Sequence, residues 1–271
     1  MSDVPSQCPP LDEPLDVHRL SGAGVEVVPE AASTNAIVAD RARAGAAEGL
    51  VVVTEHQRAG RGRLDRVWHT PARSALTFSL LLRPTVGADR WPWLPLLTGH
   101  AVAGTLHAAG FPAGVKWPND VLIADRKVAG ILVELVATPS GPAAVVGVGL
   151  NVRLPAADLP VPTATSLLVE AERRGLEVPD RTGLLLGLLD TLRAGHDDWQ
   201  RGGEPAARRL RTAYADACVT LGQPVRVELP GTGPLEGDAV GIDAQGRLLV
   251  DAGGEQPVAV SAGDVVHVRR R

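Results

Sequence analysis

Two apolar runs, Leu50–Thr54 and Ala75–Leu82, bracket a stretch that is unsuited to a core: Glu55 to His69, EHQRAGRGRLDRVWH. Each run is short, aliphatic and bounded by polar or glycine-bearing chain, so each predicts a buried strand. Between them stand Arg58, Arg61, Arg63 and Arg66, interleaved with Ala59, Gly60 and Gly62 and followed by Trp68. A chain patterned this way has to fold as a sheet that exposes a flexible cationic loop between two of its strands. Glycine lets backbone amides come close to a ligand, and arginine offers forked donors to carboxylate or phosphate oxygens. Such a loop suits an anion that must be captured and enclosed. Taken alone, the Arg-Gly-Arg run also reads as a solvated basic loop; the residues downstream distinguish the two.

Upstream, Pro5, Pro9, Pro10 and Pro14 crowd an acidic start, and residues 1–15 are expected to form a disordered tail. Val25 to Val28 is a short strand candidate. Ser33-Thr34-Asn35 precedes AIVADRARAG, where Ser33 or Thr34 can cap a helix and Gly45 can stop it. Trp91 to Gly110 has helical spacing, with Trp91 and Trp93 expected in packing. Val115 to Glu134 reads as a hairpin: KWPNDVLI, a polar turn at Ala124-Asp125-Arg126, then a second strand that starts at Lys127. The strand Ala143 to Val152 carries Gly147 and Gly149. This Gly-x-Gly is not a dinucleotide fingerprint, because Pro155 follows, no helix pattern begins and the third glycine is missing. Helices are expected over 164–175, 181–199 and 206–217, with His196 at a surface or boundary position and without a chemical role. From Leu221 the chain changes to short alternating runs, VRVEL, DAVGID, RLLVD, VAVS and VVHV, which predict a small all-β barrel.

Composition removes several function classes. The 271 residues are 45% hydrophobic and 21% charged with a net charge of −4, so no global electrostatic case exists for nucleic-acid binding. Cys8 and Cys218 make no metal-type spacing and fit a reduced, cytoplasmic compartment. The N-terminus lacks the basic and apolar regions of a signal peptide, and no apolar run is long enough to span a membrane. No paired-carboxylate motif, CxxC, HExxH, Walker A or Gly-x-Ser-x-Gly stands out. The chemistry is therefore expected in cations and backbone amides, which can orient and neutralise a phosphate or acyl-phosphate transition state without a protein nucleophile. Arg61, Arg63 and Lys127 supply the charges, and Asp120 is a candidate magnesium ligand.

Taken together, STN at 33–35, EHQxAGRGRxxRxW at 55–68, KWPNDVLI at 116–123, KVAGILVE at 127–134 and GVGLN at 147–151 resemble, in order and spacing, the biotin protein ligases. The resemblance covers residues 16 to 271, and the actinobacterial members look closest. It implies an α+β fold, a mixed β-sheet with helices packed on one face as in class II synthetases, divided into a catalytic domain at 16–219 and an SH3-like barrel at 220–271. It implies that Ser33, Thr34 and Asn35 hydrogen-bond the biotin ureido head and that Gln57 and Gly147 line the same pocket. Arg61, Gly62 and Arg63 belong to the loop that orders over biotin and the adenylate phosphate. Lys127 matches the lysine that contacts the biotin carboxylate and α-phosphate, and with Arg63 it is the expected catalytic pair. Trp68 and Asn151 match adenine-contacting positions, and Lys116 and Asp120 go with ATP or magnesium. The implied activity is magnesium-dependent activation of biotin by ATP to biotinyl-5′-AMP, then transfer to a lysine of a biotin carboxyl carrier domain.

The sequence departs from the family pattern at two places. Leu64-Asp65 stands where the loop commonly reads x-Gly, so a less mobile loop, or one held open by pairing of Asp65 with arginine, is expected. Only a short proline-rich segment precedes the catalytic part, where many relatives carry a DNA-binding helix-turn-helix, so the monofunctional type without DNA binding is expected. Relatives dimerise by extending their central sheets, and a homodimer is open on that ground. Three other readings compete: a lipoate ligase or octanoyltransferase of the same fold, which would lack the GRGRxxRxW and KWPND pair; a nucleic-acid module using Arg58 to Arg66; and a protein that retains biotinyl-adenylate without transferring it.

Overall fold

The computed structural model describes residues 13–63, 66–68, 70–229, 233–261 and 263–268. In chain order the elements are α1 (Val17–Gly22), β1 (Val25–Ala31), α2 (Thr34–Arg43), β2 (Val51–Gln57), β3 (Gly60–Arg61), β4 (Val67–Trp68), β5 (Ala75–Leu82), α3 (Trp93–Ala108), β6 (Ala113–Lys116), β7 (Asp120–Ile123), β8 (Arg126–Thr138) and β9 (Gly141–Asn151). They continue with α4 (Leu167–Arg174), α5 (Arg181–Arg201), α6 (Gly203–Ala217), β10 (Pro224–Glu228), β11 (Leu235–Ile242), β12 (Leu248–Asp251), β13 (Val258–Val260) and β14 (Asp264–His267). Seven strands form one mixed sheet in the order β1-β2-β5-β9-β8-β7-β6, and five form an antiparallel sheet in the order β13-β12-β11-β10-β14. Only β1 and β2 run parallel in the large sheet, joined by α2, the crossover connection that a parallel pair requires.

Strand alternation assigns the two faces. Leu76, Phe78, Leu80 and Leu82 of β5, and Ala144, Val146, Val148 and Leu150 of β9, enter the large core with Leu94, Leu97 and Leu106 of α3 and Leu185, Leu188 and Leu192 of α5. Leu81, Val52, Val136, Ala143 and Val145 point the other way and pack under Val38, Ala39 and Ala42 of α2. The expectation of helices on one face therefore holds for α3 and α5 and is corrected for α2, which covers part of the opposite face. It covers only part: α2 is a short helix, starting at Thr34, and the sheet beyond its N-terminus is left without a helix above it. The Arg-Gly stretch, expected as a loop, folds into a small ribbon of its own, with Gly60 opposite Trp68 and Arg61 opposite Val67.

The C-terminal sheet is tied to the rest of the molecule by two indoles, one at the start of α3 and one between β6 and β7. Trp93 Nε1 donates to the Ala244 carbonyl at 2.8 Å, and Trp117 Nε1 donates to the Gly246 carbonyl at 2.9 Å. Both carbonyls belong to the turn between β11 and β12. The apolar inner faces of both sheets merge into one core, which includes Val225, Val227, Leu248 and Val250.

Two expectations are corrected. The tail was expected through residue 15, and residues 1–12 lie outside the described residues. Leu15, however, is buried at 3% exposure, and its N–H donates to Glu55 Oε1 at 2.6 Å. His196 is not at the surface: it is 3% exposed, with its ring centroid 5.8 Å from that of Trp199. On α5 His196 stands one turn after Leu192 and one turn before Trp199, on the buried stripe that also carries Leu185 and Leu188. Burial holds the His196 imidazole below its ordinary range, against the opposing pull of Glu48 and Asp197. A neutral buried imidazole that must be charged in acid stabilises the fold above the unfolded value of about 6.5 and loses that contribution as pH falls toward the folded value. We expect the thermal midpoint to fall as pH is lowered from neutrality to pH 5, and His196→Gln to fall less steeply. Calorimetry across that range checks it; parallel slopes for the two proteins would refute it.

Candidate active site

The uncovered half of the sheet face is floored by residues with little or no side chain. In register, Ser79 faces Gly147, Thr77 faces Gly149 and Ala75 faces Asn151, while Gly130 and Leu132 of β8 face Gly149 and Gly147 from the other side. A Cβ on Gly147 would stand 2.2 Å from Asn35 Oδ1, and one on Gly149 would stand 2.5 Å from the Trp68 ring. The two glycines singled out as a false dinucleotide motif thus lie mid-strand and make room, one for the Ser-Thr-Asn turn and one for an indole. Over this floor opens a cleft of about 1720 Å³. All residues expected at the site line it: Ser33, Thr34, Asn35, Gln57, Arg61, Gly62, Arg63, Trp68, Lys116, Asp120, Lys127, Gly147 and Asn151.

At one end, Ser33 caps α2 by accepting from Ala36 N, so the next two side chains are delivered to the sheet at a fixed angle. Thr34 N donates to Gln57 Oε1 at 2.9 Å. Ser79 Oγ lies 2.8 Å from Thr34 Oγ1 and 2.5 Å from Asn35 Oδ1, and Asn35 Nδ2 donates to Glu134 Oε2 at 2.7 Å. The result is a compact set of donors and acceptors that can read a small amide-like head group. Ser79 and Glu134 were missing from the sequence-based set. Ser79 is fully buried in an apolar run, and its only signal was its parity: it alternates with Phe78 and Leu80, so it must face away from the core.

Lys127 reaches the cleft through an irregularity. In β7 and β8, Asp120 pairs with Gly130 and Val121 with Ala129, but Leu122 pairs with Lys127, so Val128 is an extra residue. Without that bulge Lys127 would share parity with Ala129 and Ile131, which are core residues. With it, Lys127 stands on the same side as Gly130, and its Nζ lies 2.6 Å from Asp120 Oδ1. The preceding turn is a two-residue loop with Ala124 and Asp125 both at positive φ, 46° and 63°, as a tight hairpin of this twist requires. The backbone of Lys127 pairs with the segment 163–165: its N–H donates to the Thr163 carbonyl, and its carbonyl accepts from Thr165 N, both at 2.8 Å.

Trp68 and Lys127 lie side by side on the glycine floor, the indole over Gly149 and both against Gly130. Lys127 Nζ is 5.7 Å from its ring centroid, and Trp68 Nε1 is buried without a partner. Asn151 donates its amide to the Thr165 carbonyl at 3.0 Å, leaving its buried Oδ1 without a hydrogen-bond partner. Unpaired buried polar atoms are costly, about 1–3 kcal/mol each, and two in one cleft point to a ligand that completes them.

The arginines of the loop span the cleft. Arg63 donates to Asn119 Oδ1 at 3.0 Å and to the Gly263 carbonyl at 3.3 Å, reaching from the large sheet to the C-terminal one. Burial lowers its guanidinium, with Asp120 and Asp264 opposing; an arginine so shifted still carries its charge. Arg66 pairs with Asp264, and Arg61 with Glu134 at 3.0 Å. These are half-exposed pairs, each worth about 0–1 kcal/mol, so an anion in the cleft can replace the carboxylates at small cost. The expected pairing of Asp65 lies outside the described residues, as does Leu64. Lys116 lines the cleft beside the C-terminal sheet, where burial first and the Lys116 charge second hold His267 below the ordinary imidazole range. Among the described residues no group of three or more His, Cys, Asp or Glu side chains is placed to hold a metal, and no helix is long and apolar enough to cross a membrane.

Comparison with known proteins agrees with this geometry. Residues 27–151 match the model of the biotin/lipoate A/B protein ligase family, and residues 220–268 match that of the biotin protein ligase C-terminal domain. The chain is 42% identical to the biotin–[acetyl-CoA-carboxylase] ligase of Mycobacterium tuberculosis, over 99% of this chain and 100% of that protein. It is 36% identical to the bifunctional ligase/repressor BirA of Bacillus subtilis over 81% of this chain and 66% of that one. Among solved structures, the biotin protein ligase of Aquifex aeolicus in complex with biotin and ATP superposes with a TM-score of 0.74 at 27% identity, covering 91% of this chain and 99% of that one. The motifs, the two-sheet architecture and a near full-length relative thus agree, and the chain belongs to the biotin protein ligase family.

Proposed function

We infer that the protein is a biotin–protein ligase that activates biotin with ATP as biotinyl-5′-AMP and transfers the biotinyl group to a lysine of a biotin carboxyl carrier domain. The observation that carries this reading is the cleft itself. A polar head-group pocket lies at one end, a stacking indole and a free amide oxygen lie over glycines in the middle, and Lys127 and Arg63 supply the positive charge.

In this reading Ser33, Thr34, Asn35 and Gln57 hold the biotin ureido group, and Gly147 leaves room for it. Trp68 and Asn151 take the adenine. Arg61, Gly62 and Arg63 close over the carboxylate and the α-phosphate, with Lys127 from below. In the first step an oxygen of the biotin carboxylate bonds to the α-phosphorus, the bond to the bridging oxygen breaks, and pyrophosphate leaves. Both reactants are anions, and Lys127 and Arg63 offset their repulsion and the charge that builds up at phosphorus. In the second, a neutral lysine amine of the carrier bonds to the acyl carbon, the acyl–phosphate bond breaks, AMP leaves with the electron pair, and the amine gives up a proton. The residues' task is to orient, neutralise and exclude water from the anhydride.

Magnesium fits as a companion of the triphosphate. The cleft offers Asp120 as one carboxylate, and a magnesium ion held by one or two carboxylates with phosphates is the usual arrangement. When bound it would neutralise phosphate charge. Lys116, at the C-terminal side, is placed for the outer phosphates. We take residues 16–219 as the catalytic part and 220–271 as an appended SH3-like part that walls the nucleotide end through Gly263 and Asp264. A cytoplasmic location goes with ATP as cosubstrate. A homodimer, if formed by sheet extension, would use the outer edge at β1.

The decisive experiment mixes the protein with biotin, magnesium ATP and a carrier domain and follows acceptor mass. We expect a gain of one biotinyl group, with the rate reduced on the order of 10²-fold or more in Lys127→Ala and in Arg63→Ala. Wild-type protein that leaves several carriers unmodified would sink the reading, and retention of adenylate without transfer would favour a binding protein. The glycine floor gives a sharper pair of expectations. Gly147→Ala should displace Asn35 and weaken biotin on the order of 10²-fold while sparing ATP, and Gly149→Ala should displace Trp68 with the opposite selectivity. Calorimetric titration of each ligand checks both; equal losses of both ligands in either variant would contradict the assignment.

A further inference from the structure

Glu170 lies in the first turn of α4 and does not line the cleft, yet it is 1% exposed and charged. Its Oε1 accepts from Arg126 Nη2 and from Thr165 Oγ1, both at 2.6 Å, and Arg174 Nε lies 3.5 Å from its Oε2. Burial alone would raise this carboxyl. The hydrogen bonds from Thr165 and Arg126, with the charges of Arg126 and Arg173, overcome that and hold it below the ordinary range. A carboxylate so thoroughly desolvated and paired needs an account that the chemistry of the cleft does not provide.

The account lies in what Thr165 does with its other groups. Its N–H donates to the Lys127 carbonyl, its own carbonyl accepts from Asn151 Nδ2, and its hydroxyl donates to Glu170. One fully buried threonine therefore touches the lysine and the asparagine assigned to the two sides of the adenylate. The bulge at Val128 leaves Lys127 paired with Leu122 of β7, and on its other side, where β9 has ended at Asn151, the segment 163–165 bonds its N–H and its carbonyl. Arg126, the other partner of Glu170, is the residue before Lys127. Glu170 thus grips the bulged hairpin from both sides: through Arg126 in the chain itself, and through Thr165 in the segment that binds it.

We propose that Glu170, acting through Thr165 and Arg126, is a positioning residue that fixes Lys127 and Asn151 against the reacting phosphate. This rests on the ligase reading above. The Ser33–Asn35 pocket is held by α2, Gln57 and Ser79, with no bond to Glu170 or Thr165 among the hydrogen bonds of the described residues. Loosening Glu170 therefore leaves the head-group pocket intact while it displaces Lys127 and Asn151.

The test uses Glu170→Ala, Glu170→Gln and Thr165→Val in the full chain, with biotin-dependent ATP–pyrophosphate exchange for the first step and thermal melting for the fold. Thr165→Val keeps volume and both backbone bonds and loses only the hydroxyl that reaches Glu170. We expect kcat for adenylate formation to fall by about tenfold to hundredfold in Glu170→Ala and severalfold in Thr165→Val. KM for ATP should rise more than KM for biotin, which keeps its head-group pocket and loses only the Lys127 contact to its carboxylate, and Glu170→Gln, which keeps an acceptor for both donors, should recover most of the loss. In a Lys127→Ala background the Glu170→Ala loss should shrink, because its lever is gone. Variants that melt lower but keep wild-type kcat and KM values, or in which both KM values rise equally, would overturn the proposal. If Glu170→Ala does not fold, Thr165→Val decides alone. Wild-type protein without exchange activity would fell the ligase reading, whereas active wild type with unaltered variants fells only this proposal.

Discussion

The pairing between β7 and β8 slips by one residue at Val128, and the side of the sheet on which Lys127 stands depends on that slip. A sheet has two faces and a strict period of two, so a cation that follows a core-facing parity is either buried in hydrocarbon or shifted by a bulge. Here the shift turns a strand whose apolar residues belong to the α3–α5 core into one that also presents a lysine to the cleft. Beyond the end of β9 at Asn151 the peptide groups of Lys127 need another partner, and the segment leading into α4 supplies it. Much of the region after β9 is arranged around this: Ser166 caps α4 while its hydroxyl donates to the Leu154 carbonyl, and Leu168 N donates to the Val152 carbonyl.

Two kinds of electrostatics coexist in the molecule. The loop arginines hold half-exposed carboxylates, Glu134 and Asp264, in pairs that cost little to exchange. In Glu170 with Arg126, and in Arg181 with Glu55 at 2.7 Å, one partner is almost wholly buried, and leaving such a charge unpaired costs up to about 3–5 kcal/mol. The first kind lies where charge must be redistributed during a reaction cycle. The second holds the frame: Arg181 also reaches the Glu13 carbonyl and so fastens the chain at Glu13 beside the strand that leads into the loop.

Much of this was readable in the residues. Long apolar runs gave β5 and β9, the cap at Ser33 gave α2, and the alternating C-terminal segments gave the second sheet, because each depends on local periodicity and chain punctuation. The motif residues were placed in one cleft because their spacing carries a family pattern. What stayed hidden depends on tertiary register. Ser79 was masked by its apolar neighbours, the bulge at Val128 by a run that reads as regular strand, and Thr165 and Glu170 by a segment whose only local signal is a helix start. His196 was misplaced because its polar side chain was given more weight than its helical spacing from Leu192 and Trp199, which puts it on the buried stripe of α5. The position of α2 on the far face of the sheet likewise follows from the crossover between β1 and β2 and not from its own composition.

The two indole bonds to the β11–β12 turn have a consequence for how the parts can diverge. Trp93 and Trp117 address backbone carbonyls of Ala244 and Gly246, not side chains. The turn must keep its shape, which Asp243 provides by accepting from the N–H groups of Gln245 and Arg247, and Gly246 by its φ of +80°. The chemical identity of Ala244 and Gln245 is free to drift without unfastening the joint. The fastening is thus asymmetric: two indole side chains on one part meet a socket of backbone carbonyls on the other. A C-terminal part with the same turn geometry and the same apolar inner face would seat on this catalytic body in the same orientation, bringing its own residues to the mouth of the cleft.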